Sequence, residues 1–176
     1  MAELIIFMGP TGAGKTVQAE NMVQRLGWVH ISSGQLLRED PSEAAVMARG
    51  DLVVSADVER LVTAAVAQQA TGRSIILDGF PRSLDEAKWL EHQLETWQLK
   101  LRVVIVFDVD RTTSDERLRK RQRADDTVAA LDRKWSAYEL ATRPVIDYYQ
   151  QLGLLKHVDG NLSEDEVYAT IGSILA

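Results

Sequence analysis

The stretch Gly9–Thr16, GPTGAGKT, fits G-x-x-x-x-G-K-[S/T] and stands between an apolar run, Leu4–Met8, and a segment of helical character, Lys15–Leu26. That order, strand then glycine-rich loop then helix, commits the start of the chain to one arrangement. Gly9, Gly12 and Gly14 let the main chain curl so that several N–H groups point inward at an anion, and the following helix adds the positive end of its dipole. Lys15 is placed to reach the outer phosphates of a polyphosphate, and the Thr16 hydroxyl to approach Mg²⁺. An ordinary glycine-rich turn is the competing reading, and the full motif in its strand-loop-helix context sets it aside.

Further short apolar runs follow at Trp28–Ile31, Ser74–Asp78, Val103–Asp108 and Leu154–Asp159. They are continuous rather than alternating, as in strands buried on both faces. Between them lie helical segments at Ser55–Gln69, Leu84–Trp97, Asp125–Leu152 and Ser163–Leu175, the last opening with Ser163 and Glu166 at capping-box spacing. The alternation predicts an α/β fold with a parallel sheet covered on both faces. Two segments interrupt the rhythm, Ser33–Ser55 and a basic patch around Arg117–Arg123. Insertions at strand ends of a parallel sheet are where ligands are held, so these two carry the question of specificity. Asp78, closing its strand beside the loop, can hold Mg²⁺ directly or through water.

At 176 residues, 45% of them hydrophobic, the chain supports one substantial core, and residues 1–176 read as a single domain. A net charge of −6 argues against general nucleic-acid or membrane-surface binding. The absence of cysteine excludes disulfides and any Cys-based zinc site, which suits a reducing cytosol. The N-terminal apolar run is too short for a signal or a membrane span. A soluble cytoplasmic protein is the expectation.

The segment DGFPRSLDEA, Asp78–Ala87, following the phosphate loop, resembles the adenylate kinase branch of the nucleoside monophosphate kinases. HISSGQLLRE (His30–Glu39) is similar to the family's monophosphate-binding entry and ARGDLVV (Ala48–Val54) to the end of that insertion. RLRKRQRADD (Arg117–Asp126) resembles its lid region and YELATRPVIDYY (Tyr138–Tyr149) the helix behind it. The resemblance implies a P-loop three-layer fold on a five-stranded parallel sheet, with a short monophosphate-binding insertion at 33–55 and a minimal lid at 117–126. It implies Mg²⁺-dependent transfer between ATP and AMP, without zinc, in a monomer. Carried over residue by residue, Gly9, Gly12, Ala13, Gly14, Lys15, Thr16, Arg117, Arg121 and Leu162 would bind ATP. Ser33, Arg38, Val53, Gly79, Phe80, Pro81, Arg82, Glu86, Arg123 and Lys134 would bind the acceptor. Lys15, Arg82, Arg121 and Arg123 would carry catalysis, and Thr16 and Asp78 would face the metal.

Elementary electrostatics agrees with that set. Transfer between two nucleotides gathers many negative charges, so several cations must converge on one point. Arginine suits the task because its planar fork grips phosphate bidentately and keeps its proton. No general base is needed, since the acceptor phosphate is already an anionic nucleophile. On a helix Arg117 and Arg121 share a face while Arg119 and Lys120 point elsewhere, so the latter two are left out of the site.

The chain departs from the family pattern at several places. Thr16-Val17 stands where the family reads Gly-Thr, Lys134 where it presents arginine, and Glu86 where it has glutamine. A carboxylate only accepts hydrogen bonds, which favours the N1–H and amino edge of guanine over adenine. Two readings follow for Glu86: a base reader admitting GMP or a broad range of bases, or a solvent-facing helix residue. Two other functions compete with a nucleotide kinase, namely a small-metabolite kinase and a nucleotide-binding protein without turnover. His30, His92 and His157 show no metal spacing, His30 and His157 sit in strands and read as structural, and Trp28, Trp89, Trp97 and Trp135 read as packing residues.

Overall fold

The computed structural model describes residues 1–49, 53–69, 72–121 and 127–176, with the side chains of 48 and 49 outside that description. Strands β1 (Ala2–Met8), β2 (Val29–Ser32), β3 (Ile75–Asp78), β4 (Leu99–Asp108) and β5 (Leu155–Asp159) form a sheet in the order β2-β3-β1-β4-β5. All the pairings are parallel. The continuous apolar runs are explained by two cores, one on each face. In β1, Leu4, Ile6 and Met8 enter one core while Ile5 and Phe7 enter the other. In β4, Val104 and Val106 part in the same way from Val103, Ile105 and Phe107.

The first core is closed by α4 (Ser55–Gln69), α5 (Leu84–Thr96) and α8 (Arg143–Gln151), through Val62, Leu90 and Tyr149 among others. The second is closed by α1 (Lys15–Leu26) and α9 (Glu164–Leu175), through Ala19, Met22, Val167 and Ile171. Trp89 packs edge-on to Phe80 and Trp97 at centroid distances of 5.9 and 5.7 Å, as a gap filler between helix and sheet. β4 starts earlier than its apolar run, pairing with β1 from Ala2↔Leu99 onward, and Arg102 there forms an ion pair with Glu3 at 2.7 Å. A charged residue is thus accommodated at the end of the sheet away from the site.

Both interrupting segments are largely helical. Ser33–Glu39 forms α2, Ala44–Arg49 forms α3, and Arg111–Arg121 forms α6. Residues 50–52 of the insertion and 122–126 of the lid lie outside the described residues.

The helical character expected over Asp125–Leu152 runs, among the described residues, from Val128 to Gln151, with one π-helical turn inside it. Helix α7 (Val128–Ala137), capped by Thr127, is joined to α8 by a π-helical turn, Tyr138–Thr142. The cause is Pro144 at the start of α8, which has no N–H for the carbonyl four residues back. Just before it the Arg143 N–H donates to the Tyr138 carbonyl, five residues back, which makes the turn π-helical.

At the start of α9 both halves of the capping box form, the Ser163 hydroxyl accepting from the Glu166 N–H and the Glu166 carboxylate from the Ser163 N–H. Ser163→Ala should therefore destabilise the fold by about 1 kcal/mol, roughly 2–4 °C in Tm. Thermal unfolding followed by circular dichroism checks it, and an unchanged Tm would remove the cap from the account of stability.

Candidate active site

Register brings the site together. Phe7 and Ser32 both pair with Asp78, so the loop after β1, the end of β3 and the start of α2 lie side by side where the strand order reverses about β1. Gly9 has φ +139, and a Cβ there would lie 2.7 Å from the Phe107 carbonyl oxygen. Gly12 has φ +78, and a Cβ would meet the Ser114 hydroxyl at 2.7 Å and its carbonyl at 2.9 Å. The loop is thus pressed against β4 and α6 at a distance only glycine allows. Ser114, fully buried, donates its hydroxyl to the Thr11 carbonyl at 2.6 Å and pins α6 to the loop.

Lys15 folds back over its own loop, Nζ donating to the carbonyls of Gly9 at 2.9 Å and Pro10 at 2.8 Å. Burial, aided by the charges of Arg82 and Arg121 and opposed by Asp78, lowers its pKa to about 8. Asp78 is 3% exposed. Burial works against its ionisation, but His30, Lys15 and the Thr16 hydroxyl outweigh it and hold the carboxyl below its usual range. The Thr16 hydroxyl donates to Asp78 Oδ2 at 2.8 Å, and His30 Nε2 approaches the same oxygen at 3.4 Å. An ionised carboxylate beside a hydroxyl is the hard-oxygen pair that suits Mg²⁺. Among the described residues no group of three or more His, Cys, Asp or Glu could hold a metal. A cation here would draw its remaining ligands from phosphate and water.

These groups open into a cavity of about 820 Å³, at the large end of small-molecule sites, roughly 300–1,000 Å³. Its wall includes Gly9, Gly12, Ala13, Gly14, Lys15 and Thr16 of the loop; Ser33, Arg38 and Val53 of the insertion; Asp78, Gly79, Phe80, Pro81, Arg82 and Glu86; Arg117 and Arg121 of α6; Lys134; and Leu162. Arg123 lies outside the described residues. Lys120, turned away from the site by the reading of spacing, lines its rim, whereas Arg119 is exposed elsewhere. Arg117 donates to the Gly160 carbonyl at 2.7 Å, which ties α6 to the loop after β5.

Arg82 is held by both its main chain and its side chain. Its N–H donates to Glu86 Oε2 at 2.6 Å, its carbonyl accepts from the Thr142 hydroxyl at 3.2 Å, and its Nε donates to the Gly79 carbonyl at 2.6 Å. The solvent-facing reading of Glu86 is thereby corrected. The residue is 5% exposed, drawn inward because the Arg82 N–H ahead of α5 has no partner within the helix.

Ser114, Thr142 and His30 escaped sequence reasoning as site residues. Ser114 was within reach, since Ser114, Arg117, Leu118 and Arg121 share one helix face. Thr142 and His30 carry no local signal, because their partners are 60 and 48 residues away in sequence, the latter being 78 − 30.

The family model for adenylate kinase matches residues 7–154. An adenylate kinase of Synechococcus is 37% identical over 187 aligned residues, covering 100% of both chains. One of Thermus thermophilus is 33% identical, covering 99% of this chain and 98% of its own. A third, of Nocardia farcinica, is 37% identical over 171 residues, 93% of each chain. With a phosphate loop, a buried carboxylate and cations from separate segments around one cavity, the chain belongs to the adenylate kinase family.

Proposed function

We propose that the chain catalyses reversible transfer of the terminal phosphoryl group of ATP to AMP, giving two molecules of ADP, with Mg²⁺ accompanying the ATP. The observation that carries this reading is the convergence of Lys15, Arg38, Arg82, Arg117 and Arg121 on one cavity from separate segments. An alcohol acceptor would call for fewer cations and a base, and a binding protein without turnover would not call for cations beyond the phosphate loop.

The loop N–H groups and Lys15 hold the β and γ phosphates, while Arg117 and Leu162 face the rest of the donor. Ser33, Arg38, Val53, Gly79–Arg82 and Lys134 hold the acceptor, with Arg123 as a further cation. A phosphate oxygen of AMP attacks the γ phosphorus, the bond from that phosphorus to the β–γ bridging oxygen breaks, and the electron pair stays on the β phosphate. No proton has to move. Arg82 and Arg121 follow the charge as it spreads over the transferred group. Mg²⁺ held at Thr16 and Asp78 would neutralise the β and γ oxygens.

The test is chromatography of the products from Mg·ATP with AMP; failure to form ADP would end this reading. The chain is proposed to act as a monomer, and light scattering at micromolar concentration would test that. Among the described residues no helix is long and apolar enough to cross a membrane.

Protonated Lys15 is the form that binds phosphate. With its pKa lowered to about 8 in the free protein, ATP must bring a proton with it at higher pH. The ATP dissociation constant should be flat below pH 8 and then rise by up to about tenfold per pH unit. Calorimetry in buffers of different ionisation enthalpy would register the proton uptake, and a flat profile to pH 9.5 would contradict it.

A further inference from the structure

We infer that Glu86 reads the acceptor base and extends the acceptor range from AMP to 6-oxopurine monophosphates such as GMP. The inference rests on the kinase reading above and adds to it the substrate class.

The cavity is also lined by Val53, Val58 and Phe80, apolar side chains suited to a flat base, and by Glu86. The Arg82 N–H fixes how the Glu86 carboxylate sits. A main-chain donor can be answered only by an acceptor, and Oε2 answers it at 2.6 Å. The Glu86 main chain is held as well, its N–H donating to the Ser83 hydroxyl at 3.3 Å. With one oxygen committed, the other is the atom that a base in the cavity can meet.

As a carboxylate that oxygen only accepts. Its charge also reaches Glu59 on α4, whose carboxyl is pushed above its usual range chiefly by burial and further by Glu86. Glu86 thus presents an acceptor to the cavity. Guanine and hypoxanthine turn N1–H toward it, and guanine adds a neighbouring amino group. Adenine offers its amino group but sets the N1 lone pair against the same charge, so the preference for adenine that an amide would supply is weakened.

Glu86→Gln makes the distinction. The Arg82 N–H still claims the oxygen, so the amide turns its NH₂ to the cavity and the group there changes from acceptor to donor. That donor pairs with adenine N1 and opposes the N1–H of a 6-oxopurine. The experiment measures kcat/KM for AMP, GMP and IMP with Mg·ATP in the full chain and in Glu86→Gln.

Wild type should use GMP and IMP within about tenfold of AMP, and the substitution should move the GMP-to-AMP ratio toward AMP by about tenfold or more. Ser83→Ala, which weakens the same helix start but keeps the carboxylate, should lower Tm and leave the ratio in place. If both ratios stay constant, or if Ser83→Ala shifts the ratio as far as Glu86→Gln does, the carboxylate is only a helix cap and the inference is overturned. Diphosphate formed from AMP alone in wild type overturns it while leaving the kinase reading standing. Diphosphate from no acceptor defeats the kinase reading itself, and this inference with it.

Discussion

Arg82→Ala should lower kcat by about three orders of magnitude, some 4 kcal/mol of transition-state stabilisation, while the ATP dissociation constant changes by less than about threefold. The split follows from how the residue is built in. Its main chain is bonded on both sides, to Glu86 and to Thr142, so truncating the side chain leaves the segment in place and removes only the guanidinium. That guanidinium is close enough to Lys15 to help lower the lysine pKa, which supports the proposed place beside the phosphates over one on the donor base. Arg82→Lys should recover only part of the loss, because a point charge replaces a bidentate fork. Stopped-flow turnover and ATP calorimetry on the same samples would decide. A fall in ATP affinity as large as the fall in kcat would move Arg82 from the transferred group to the donor site.

The parts of the fold legible in the sequence are those fixed by local pattern. α1 and α4 run where periodicity places them, and the apolar runs are strands because alternate residues feed two cores. The phosphate loop was legible because its geometry depends on glycines at set spacing, and the capping box because it is closed within three residues. What was not legible depends on distant partners. α6 is tied to the loop by a hydrogen bond across 103 residues, Ser114 to Thr11, and Arg82 is fixed by Thr142 from 60 residues away. The π-helical turn follows from Pro144, a visible residue whose usual effect is to end a helix. Here the chain absorbed it by one wider turn. For Glu86 the sequence leaves base reader and solvent-facing residue both open, because its inward turn depends on the Arg82 N–H and not on a periodic pattern.

Lys15→Met should abolish measurable turnover, a loss of about three orders of magnitude or more, without lowering stability in proportion. The lysine is held at a cost. Its pKa falls from 10.5 to about 8 in the folded state, so the charged form is disfavoured there by at most on the order of 3 kcal/mol, less whatever water screens. The sign is that of a depressed cation: the penalty is fully present below pH 8, shrinks as pH rises from 8 to 10.5, and is gone once the lysine is neutral in both states. Methionine fills similar space without charge, though it leaves the Gly9 and Pro10 carbonyls without the Nζ donor, which offsets part of the gain. Denaturant unfolding should place Lys15→Met at or above wild type at pH 7, with the difference moving in favour of wild type toward pH 10. A difference independent of pH would mean that Lys15 titrates as it does in the unfolded chain. The folded state would then not be strained by the charge that the phosphate loop requires.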